Sequence, residues 1–256
     1  MTPLLETRNL GKTFGGLKAV QQVDLRIEAN RIVSVIGPNG AGKTTFFNCL
    51  SGIYRPDSGS ILLDGHDITG RRPHEVCRRG VARTFQNIRL FPEMSVLENV
   101  LVAQFQHRSI SPLPLLLHSP RFRAQENQSR AEALEFLDFV GLTHLAGHIS
   151  SNLAYGLQRR LEIARALATR PRLLLLDEPA AGMNPQEAVE MVQLISRIRD
   201  RGLAVLLIEH HMKVVMAISD EILVLDHGVP IAHGAPEKVR NDPQVIKAYL
   251  GEEVSH

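Results

Sequence analysis

Gly-Pro-Asn-Gly-Ala-Gly-Lys-Thr occupies residues 37–44, directly after the apolar run Ile32–Ile36 and before a helix-forming stretch. The octet matches the pattern G-x-x-x-x-G-K-[ST], whose context is a glycine-rich turn between a strand and a helix. Its glycines let successive backbone N–H groups point at one anion, and the following helix adds the positive end of its dipole. The octet therefore predicts a phosphate-binding loop; a glycine-rich turn without a ligand is the alternative. The residues expected around the phosphates are Gly37, Pro38, Asn39, Gly40, Ala41, Gly42, Lys43, Thr44 and Thr45.

Two side chains of this loop have specific expected roles. The Lys43 ammonium would reach the β- and γ-phosphates of a nucleotide such as ATP. The Thr44 hydroxyl would ligate Mg²⁺, which prefers oxygen ligands and usually takes several of them from the nucleotide's own phosphates. The loop alone does not define the class of NTPase.

A second marked position is the end of the run Leu173–Leu176, which leads into Asp177 and Glu178. A continuous apolar run is typical of a parallel strand buried on both faces, and ligands bind at the carboxyl ends of such strands. Asp177 is expected to hold Mg²⁺ through water, and Glu178 to polarise the water that attacks the γ-phosphate. The alternative is a pair of strand-end carboxylates that only solvates the edge of the sheet.

Composition narrows the class of protein. The chain has 256 residues, 44% of them hydrophobic, which is enough to bury a substantial core. Its two cysteines, Cys49 and Cys77, have no metal-binding spacing and indicate a reducing compartment. The net charge of +2, with both signs mixed along the chain, argues against a dedicated nucleic-acid surface. Neither a signal peptide nor an apolar run of the roughly 18 residues of a membrane span is expected.

Alternating strand and helix patterns from Ile32 onward predict an α/β fold with a mixed, mostly parallel core sheet covered by helices. The amino-terminal part has a different pattern. Leu5–Phe14, Ala19–Glu28 and Gly59–Asp64 are short, alternating and bounded by turns. They predict a small antiparallel β subdomain beside the core.

The middle of the chain is predicted to be helical. Met94–Gln106 and Arg130–Val140 carry apolar residues at helical spacing. Between them lies Ser109–Pro120, whose three prolines break regular structure and whose leucines are unusually apolar for a surface loop. This insertion either contacts partner subunits or folds onto its own subdomain.

The segment Leu153–Leu157 begins a further predicted helix, which lies between the phosphate-binding loop and the run Leu173–Leu176. Its sequence, Leu-Ala-Tyr-Gly-Leu, resembles the L-S-G-G-Q signature of ABC ATPases. Gln86 is similar to the Q-loop glutamine of that family, and His210 to its switch histidine. Considered alone, Gln86 is more simply interpreted as an ordinary loop amide, and His210 as an ordinary histidine at the end of a strand. In this order, with the phosphate-binding loop and the strand-end carboxylates, they identify the chain as a member of the ABC ATPases over about residues 5–250.

The resemblance implies a P-loop NTPase fold in one ABC ATPase domain, residues 1–256. Residues 1–86 and 158–256 would form the nucleotide-binding core with the antiparallel β subdomain. Residues 87–157 would form the helical subdomain with the signature motif. The implied catalytic residues are Glu178, His210, Gln86 and Lys43, and the implied Mg²⁺ ligands are Thr44, Gln86 and Asp177.

The resemblance also implies two further nucleotide contacts. Phe14 would stack on adenine, an interaction worth about 1 to 3 kcal/mol per base in other nucleic-acid contexts; the alternative is a phenylalanine of the sheet core. The nucleotide of a second subunit would meet the signature in trans, at Leu153, Ala154, Tyr155, Gly156 and Leu157.

Three segments point to a group within the family. Arg83–Phe91, Glu178–Pro185 and Val245–Gly251 resemble the ATP-binding subunits of branched-chain amino acid importers. The lipopolysaccharide-export ATPase shares parts of this set but usually keeps the signature serine, where this chain has Ala154. In most family members that serine donates to the γ-phosphate bound by the opposite subunit, whereas alanine is shared with the importer group.

Other positions depart from the family pattern. Leu157 stands where a polar side chain is expected, which could lower affinity for the partner's nucleotide or pack on the neighbouring subunit. His211 replaces an aspartate that often follows the switch histidine, and Asn184 replaces the D-loop aspartate.

The resemblance implies the partners and the location. The chain would pair head to tail with a second ABC ATPase subunit, identical or different, on two integral membrane permease subunits. It would lie at the cytoplasmic face of a bacterial inner membrane, with a periplasmic amino-acid-binding protein as an indirect partner and no nucleic acid. The alternatives are the ATPase of another ABC transporter, such as lipopolysaccharide export, and a non-transport ABC ATPase acting on nucleic acid or the ribosome. The latter usually has two ATPase halves or a long coiled-coil insertion, and this sequence has neither.

Overall fold

The computed structural model of the chain describes residues 3–105 and 120–253. It divides the chain into two compact units, one formed by residues up to Gln86 together with those from Arg172 onward, and the other by Asn87–Pro171. The strands of the described part are β1 Leu5–Phe14, β2 Leu17–Ile27, β3 Ile32–Ile36, β4 Ser58–Leu63, β5 His66–Asp67, β6 Val81–Arg83, β7 Leu173–Asp177, β8 Ala204–Ile208, β9 Glu221–Asp226 and β10 Val229–Gly234. Its α-helices are α1 Lys43–Leu50, α2 Pro73–Arg78, α3 Val96–Gln104, α4 Pro120–Val140, α5 Tyr155–Leu167, α6 Pro185–Asp200, α7 Met212–Ile218, α8 Pro236–Arg240 and α9 Pro243–Glu253.

A six-stranded sheet forms the centre of the first unit, in the order β10-β9-β3-β8-β7-β6. All neighbouring pairs are parallel except β9 with β10, so the prediction of a mixed, mostly parallel core sheet is confirmed. Every residue of β3, β7 and β8 is buried, as expected for strands covered on both faces. The carboxyl ends of these strands therefore meet at one edge, where the polar residues that follow them come together.

A separate four-stranded sheet, in the order β2-β1-β4-β5, confirms the predicted antiparallel subdomain. In its register Leu5 pairs with Ile27 on one side and with Leu63 on the other. Gly15 and Gly16 turn β1 into β2 with positive φ angles of 50° and 91°, a conformation that favours glycine. This turn places Phe14 and Leu17 at the tip of the hairpin.

One apolar cluster of the first unit joins both sheets through α1. Phe46, Phe47 and Leu50 of α1 are buried in it beside residues of β1, β3 and β7. Because α1 starts immediately after the phosphate-binding loop, this packing fixes the loop to the sheet. Full burial of a phenylalanine or leucine side chain stabilises the fold by about 1.5–3 kcal/mol.

The second unit consists of α3, α4 and α5 with two short 3₁₀ helices, Thr143–Leu145 and Ser150–Asn152. Ser95 caps α3 and exchanges hydrogen bonds with Glu98 in a capping box. The boundary expected between residues 157 and 158 falls inside α5, and the compact unit extends to Pro171 instead. The physical reason is that α5 is a continuous helix whose buried residues pack in this unit. Residues 109–119 of the predicted insertion lie outside the described residues.

None of the helices in the described part is long and apolar enough to cross a membrane.

The two cysteines differ in burial, and this difference provides a test of the fold. Burial raises the pKa of the Cys49 thiol in α1 to about 12. Cys77 is partly exposed. The thiolate is the reactive form, so Cys49 stays unreactive up to alkaline pH while an ordinary thiol, with a pKa of about 8.5, ionises. We expect iodoacetamide at about pH 8 to label Cys77 in the native protein and Cys49 only after denaturation, as measured by peptide mass spectrometry. Equal labelling rates in the native protein would contradict the burial of α1.

Candidate active site

A cleft of about 470 Å³ opens in the first unit above the phosphate-binding loop. It brings together the tip of the β1–β2 hairpin, the loop with the start of α1, and the ends of strands β6, β7 and β8. Its lining residues are Phe14, Leu17, Lys18, Ala19, Asn39, Gly40, Ala41, Gly42, Lys43, Thr44, Thr45, Gln86, Glu178, His210 and His227. Leu17, Lys18, Ala19 and His227 were not predicted, because nothing in their local sequence marks them as site residues.

The backbone of the loop requires glycine at two of its positions. Gly37 and Gly42 have φ angles of 147° and 96°, which L side chains rarely adopt. A Cβ atom at Gly37 would collide with the carbonyl oxygen of Leu225, and one at Gly42 with that of Ala19. The loop is therefore held between β2 and β9 with no room for a side chain at either glycine.

Lys43 is folded over the loop from the start of α1. Its Nζ donates to the carbonyl oxygens of Gly37 and Pro38, at 2.6 and 2.7 Å, and the residue is buried. The ammonium is thus held at the concave side of the loop, where a phosphate oxygen would be a stronger, charged acceptor than a carbonyl. Thr44, one residue further, is exposed and lines the cleft.

Asp177 forms a buried ion pair that sequence reasoning missed. Its Oδ2 lies 2.8 Å from the Nη2 of Arg83, the last residue of β6, and both side chains are almost fully buried. The Nη1 of Arg83 donates to Asn48 and Ser51 at the end of α1, at 2.6 and 2.9 Å. Asp177 is thereby anchored to the helix that follows the phosphate-binding loop. Removing Arg83 would leave an uncompensated buried carboxylate, a loss of about 3–5 kcal/mol.

The guanidinium of Arg83 is also enclosed by aromatic rings. Its central carbon lies 5.6 Å from the ring centroid of Phe47 and 5.1 Å from that of Phe85. Such contacts suit arginine, whose planar cation stacks on rings and forks toward a carboxylate. An arginine at a strand end, three residues before Gln86, was the available signal, but its partner is 94 residues away.

Glu178 contacts two of the other predicted catalytic residues. Its Oε1 is 2.7 Å from Nε2 of His210, and its Oε2 accepts a hydrogen bond of 3.0 Å from the Gln86 amide. A carboxylate oxygen accepts in such a contact, which assigns the donor role to Nε2 of His210. The two donors hold the carboxylate in one orientation at the edge of the cleft.

The backbone at Glu178 is unusual. Its φ angle is 49°, in the left-handed region, although it is not glycine. The Glu178 N–H still donates to the Ile208 carbonyl at 2.9 Å, as the last link between β7 and β8. The left-handed turn directs the Glu178 side chain away from the line of the strand, and this conformation costs roughly 1–2 kcal/mol.

His211 has surroundings different from those of His210. Its side chain is 62% exposed, and its Nδ1 lies 3.6 Å from Oε2 of the buried Glu209. Only His210 contacts Glu178. Glu209 was not among the predicted site residues, since a strand-end glutamate gives no sign of burial in the sequence.

Phe14 lies at the hairpin tip, 41% exposed, and not in the core of the sheet. Its ring meets that of Tyr54 edge to face, with centroids 5.2 Å apart. The Lys12 ammonium lies 5.2 Å from the centroid of the same ring. An exposed aromatic ring on the wall of the cleft is available for stacking, which leaves the adenine contact as a prediction.

The signature residues belong to the second unit, at the start of α5. Ala154 is the N-cap residue and offers no side-chain hydrogen bond, Leu153 is buried, and Tyr155 is exposed. The hydroxyl of Tyr155 accepts from Arg159, which forms a buried ion pair of 2.9 Å with Glu162. The first turn of α5 is therefore held by its own helix and leaves Ala154 at the surface. Gly156 and Leu157 are partly buried.

Asn184 has a structural role that accounts for one departure from the family pattern. Its side chain accepts a hydrogen bond of 3.0 Å from the N–H of Glu187, and the Glu187 carboxylate accepts one of 3.0 Å from the N–H of Asn184. This capping box, followed by Pro185 in the first turn, starts α6. Asparagine and aspartate are equally good N-caps, so the replacement preserves the start of the helix.

Comparisons with known proteins agree with this site. The model of the family ABC transporter matches residues 20–181, and that of the branched-chain amino acid ATP-binding cassette transporter matches residues 229–255. BraF of Pseudomonas aeruginosa, a high-affinity branched-chain amino acid transport ATP-binding protein, is 53% identical over 98% of both chains. LivG of Escherichia coli K12, likewise a high-affinity branched-chain amino acid transport ATP-binding protein, is 51% identical over 98% of both chains.

A solved structure shows the same fold. The ADP conformation of MJ1267, an ATP-binding cassette of an ABC transporter, superimposes with a TM-score of 0.84 at 31% identity, covering 98% of this chain and all of that one. The fold, the geometry of the site and the identity of 51–53% over nearly the full length of both relatives all indicate one family. The chain is an ATP-binding protein of the ABC transporter family, in the branch of the branched-chain amino acid transport ATPases.

Proposed function

We propose that this chain hydrolyses ATP to drive uptake of branched-chain amino acids through a membrane importer. The observation that carries the hydrolytic part is the placement of Glu178 at the edge of the phosphate-loop cleft, held there by Gln86 and His210. A carboxylate in this place suits activation of a water molecule beside the terminal phosphate. The substrate class rests on the similarity to BraF and LivG.

The proposed chemistry divides between two sets of residues. Lys43 and the loop N–H groups would bind the β- and γ-phosphates and stabilise negative charge in the transition state. Glu178 would orient the attacking water and accept its proton, while His210 would donate to the γ-phosphate and Gln86 would hold the carboxylate. Phe14 would stack on the adenine at the far wall of the cleft.

Mg²⁺ fits the residues present only as an ion that arrives with the nucleotide. In residues 3–105 and 120–253 there is no group of three or more His, Cys, Asp or Glu side chains that could hold a metal. Mg²⁺ often binds through one or two protein oxygens, with phosphates and water completing its shell. The proposed ligands are Thr44 and Gln86, which line the cleft, and Asp177, which would hold the ion through water. The bound ion would neutralise charge on the phosphate oxygens.

A second copy or a related ATPase would complete each nucleotide site. In the proposed head-to-tail dimer, Leu153, Ala154, Tyr155, Gly156 and Leu157 face the nucleotide of the partner. The start of α5 suits an anion, because first-turn N–H groups and the helix dipole are positive and Ala154 adds no cap of its own. ATP that binds the closed dimer better than the open one would shift the pair toward closure, and hydrolysis would release it.

The transport role requires other chains. We propose that the dimer docks on two integral membrane permease subunits at the cytoplasmic face of the inner membrane, and that a periplasmic protein delivers the amino acid. The match to the branched-chain model at residues 229–255 favours this role over lipopolysaccharide export. It also disfavours a non-transport ATPase that acts on nucleic acid or the ribosome.

The two adjacent histidines test the catalytic assignment. We expect His210→Ala to lower the ATPase rate constant by about 10²-fold or more, since it removes the imidazole that contacts Glu178. The matched variant His211→Ala should stay within about twofold of the parent. ATP affinity, measured by calorimetry with a non-hydrolysable analogue, should remain unchanged in both. Equal losses of turnover in the two variants would refute the assignment.

Uptake measurements test the transport role. Deleting this gene from its host, with no second copy of the ATPase, should abolish ATP-dependent uptake of radiolabelled leucine, isoleucine and valine. Plasmid-borne wild type and His211→Ala should restore uptake, whereas Lys43→Ala and Glu178→Gln should not. The purified chain itself should show no affinity for leucine by calorimetry. Unchanged uptake in the deletion strain would remove the amino-acid assignment and leave a transporter ATPase of another kind.

A further inference from the structure

Glu209 is a buried carboxylate that the proposed chemistry does not use. Its side chain is 1% exposed, directly after β8 and one residue before His210. A buried charge is costly unless hydrogen bonds compensate it. Such a residue at the edge of the active site therefore needs a physical reason.

The carboxylate of Glu209 is compensated by backbone N–H groups. Its Oε1 accepts a hydrogen bond of 3.0 Å from Ala180, and its Oε2 accepts from His210 and His211, at 3.0 and 3.3 Å. The exposed ring of His211 also lies near it, with Nδ1 3.6 Å from Oε2. Glu209 thus connects two loops, the one after β7 and the one after β8.

These contacts begin where the regular sheet ends. The pairing of β7 with β8 runs to Asp177 and Ile208, and the Glu178 N–H adds one more bond to Ile208. Beyond this point β7 and β8 form no further backbone hydrogen bonds with each other. Glu209 supplies the next connection through its side chain, between Ala180 and His210.

Glutamate suits this position better than its amide. Both carboxylate oxygens are acceptors, so together they satisfy all three N–H donors. A glutamine has one acceptor oxygen, and its NH₂ group would face at least one N–H without a partner. A carboxylate therefore matches these three donors better than an amide of the same shape.

We propose that Glu209 is a positioning residue for ATP hydrolysis, which sets the imidazole of His210 against Glu178 by tying its backbone to the loop after β7. The inference rests on the proposed ATPase function of this site. Glu178 and Ala180 on one side, and His210 and Glu209 on the other, then form a closed set of contacts. Loss of the tether would let the 2.7 Å contact between Glu178 and His210 lengthen.

The test is turnover and nucleotide affinity in Glu209→Gln. We expect the ATPase rate constant to fall by about 10- to 100-fold, as a displacement of around 1 Å at a catalytic group does, with analogue affinity unchanged within about twofold. Glu221→Gln is the matched control, because Glu221 pairs with His233 at 3.0 Å on the surface of the same unit. Its turnover should equal that of the parent. Wild-type turnover in Glu209→Gln would overturn the proposal.

A double-mutant cycle separates positioning from general stability. If Glu209 acts through His210, Glu209→Gln should cause no further loss of turnover in a His210→Ala background. If the losses of turnover from Glu209→Gln and His210→Ala instead multiply in the double variant, Glu209 does not act through His210. That result, or a loss of nucleotide affinity together with turnover, would show that Glu209 only maintains the fold.

Hydrogen exchange tests the bonds without any substitution. In the unmodified protein the amides of Ala180 and His210 should exchange slowly, and fast exchange at either would overturn the proposal. This measurement also decides the case if Glu209→Gln does not fold. An unmodified chain without ATPase activity, alone or with its partners, would overturn the proposed function, and the exchange data would still establish whether Glu209 forms the tether.

Discussion

The parallel pairing of three buried strands, β3, β7 and β8, determines where each polar residue of the site can lie. β8 pairs with β3 on one side and with β7 on the other. The carboxyl ends of all three therefore meet at one edge, which carries the phosphate-binding loop, the Asp177–Glu178 pair and His210. The interior of these strands is entirely apolar apart from Ser34, so polar chemistry is possible only where they end.

The parts of the fold and of the site that depend on local sequence could be predicted. The glycine-rich octet and the leucine run before Asp177 each contain their own signal, and the structure places Lys43, Gln86, Glu178 and His210 on one cleft. The partner of Asp177 could not be predicted, because Arg83 is 94 residues away and its burial depends on packing between Phe47 and Phe85. The unit boundary was placed inside α5 for a similar reason, since the signature motif marks the start of that helix and not its end.

Two buried ion pairs hold the motifs of the two units in different ways. In the first unit Arg83 links Asp177 to the end of α1, so the strand-end carboxylate and the helix of the phosphate-binding loop share one anchor. In the second unit Arg159 and Glu162 brace the first turn of α5 from within the helix. Arrangements of this kind fix side chains in one geometry, and their contribution to net stability is small compared with the cost of removing one partner.

The left-handed backbone of Glu178 makes this a position where screening for thermal stability acts against activity. A residue that bears a Cβ is strained at a φ angle of 49°, whereas glycine tolerates that angle well and asparagine better than most residues. Replacements such as Glu178→Gly relax the main chain while they remove the carboxylate that we propose to activate water. Screens for heat resistance alone would therefore enrich inactive variants at this position, and a search for a robust form of this ATPase has to score turnover together with melting temperature.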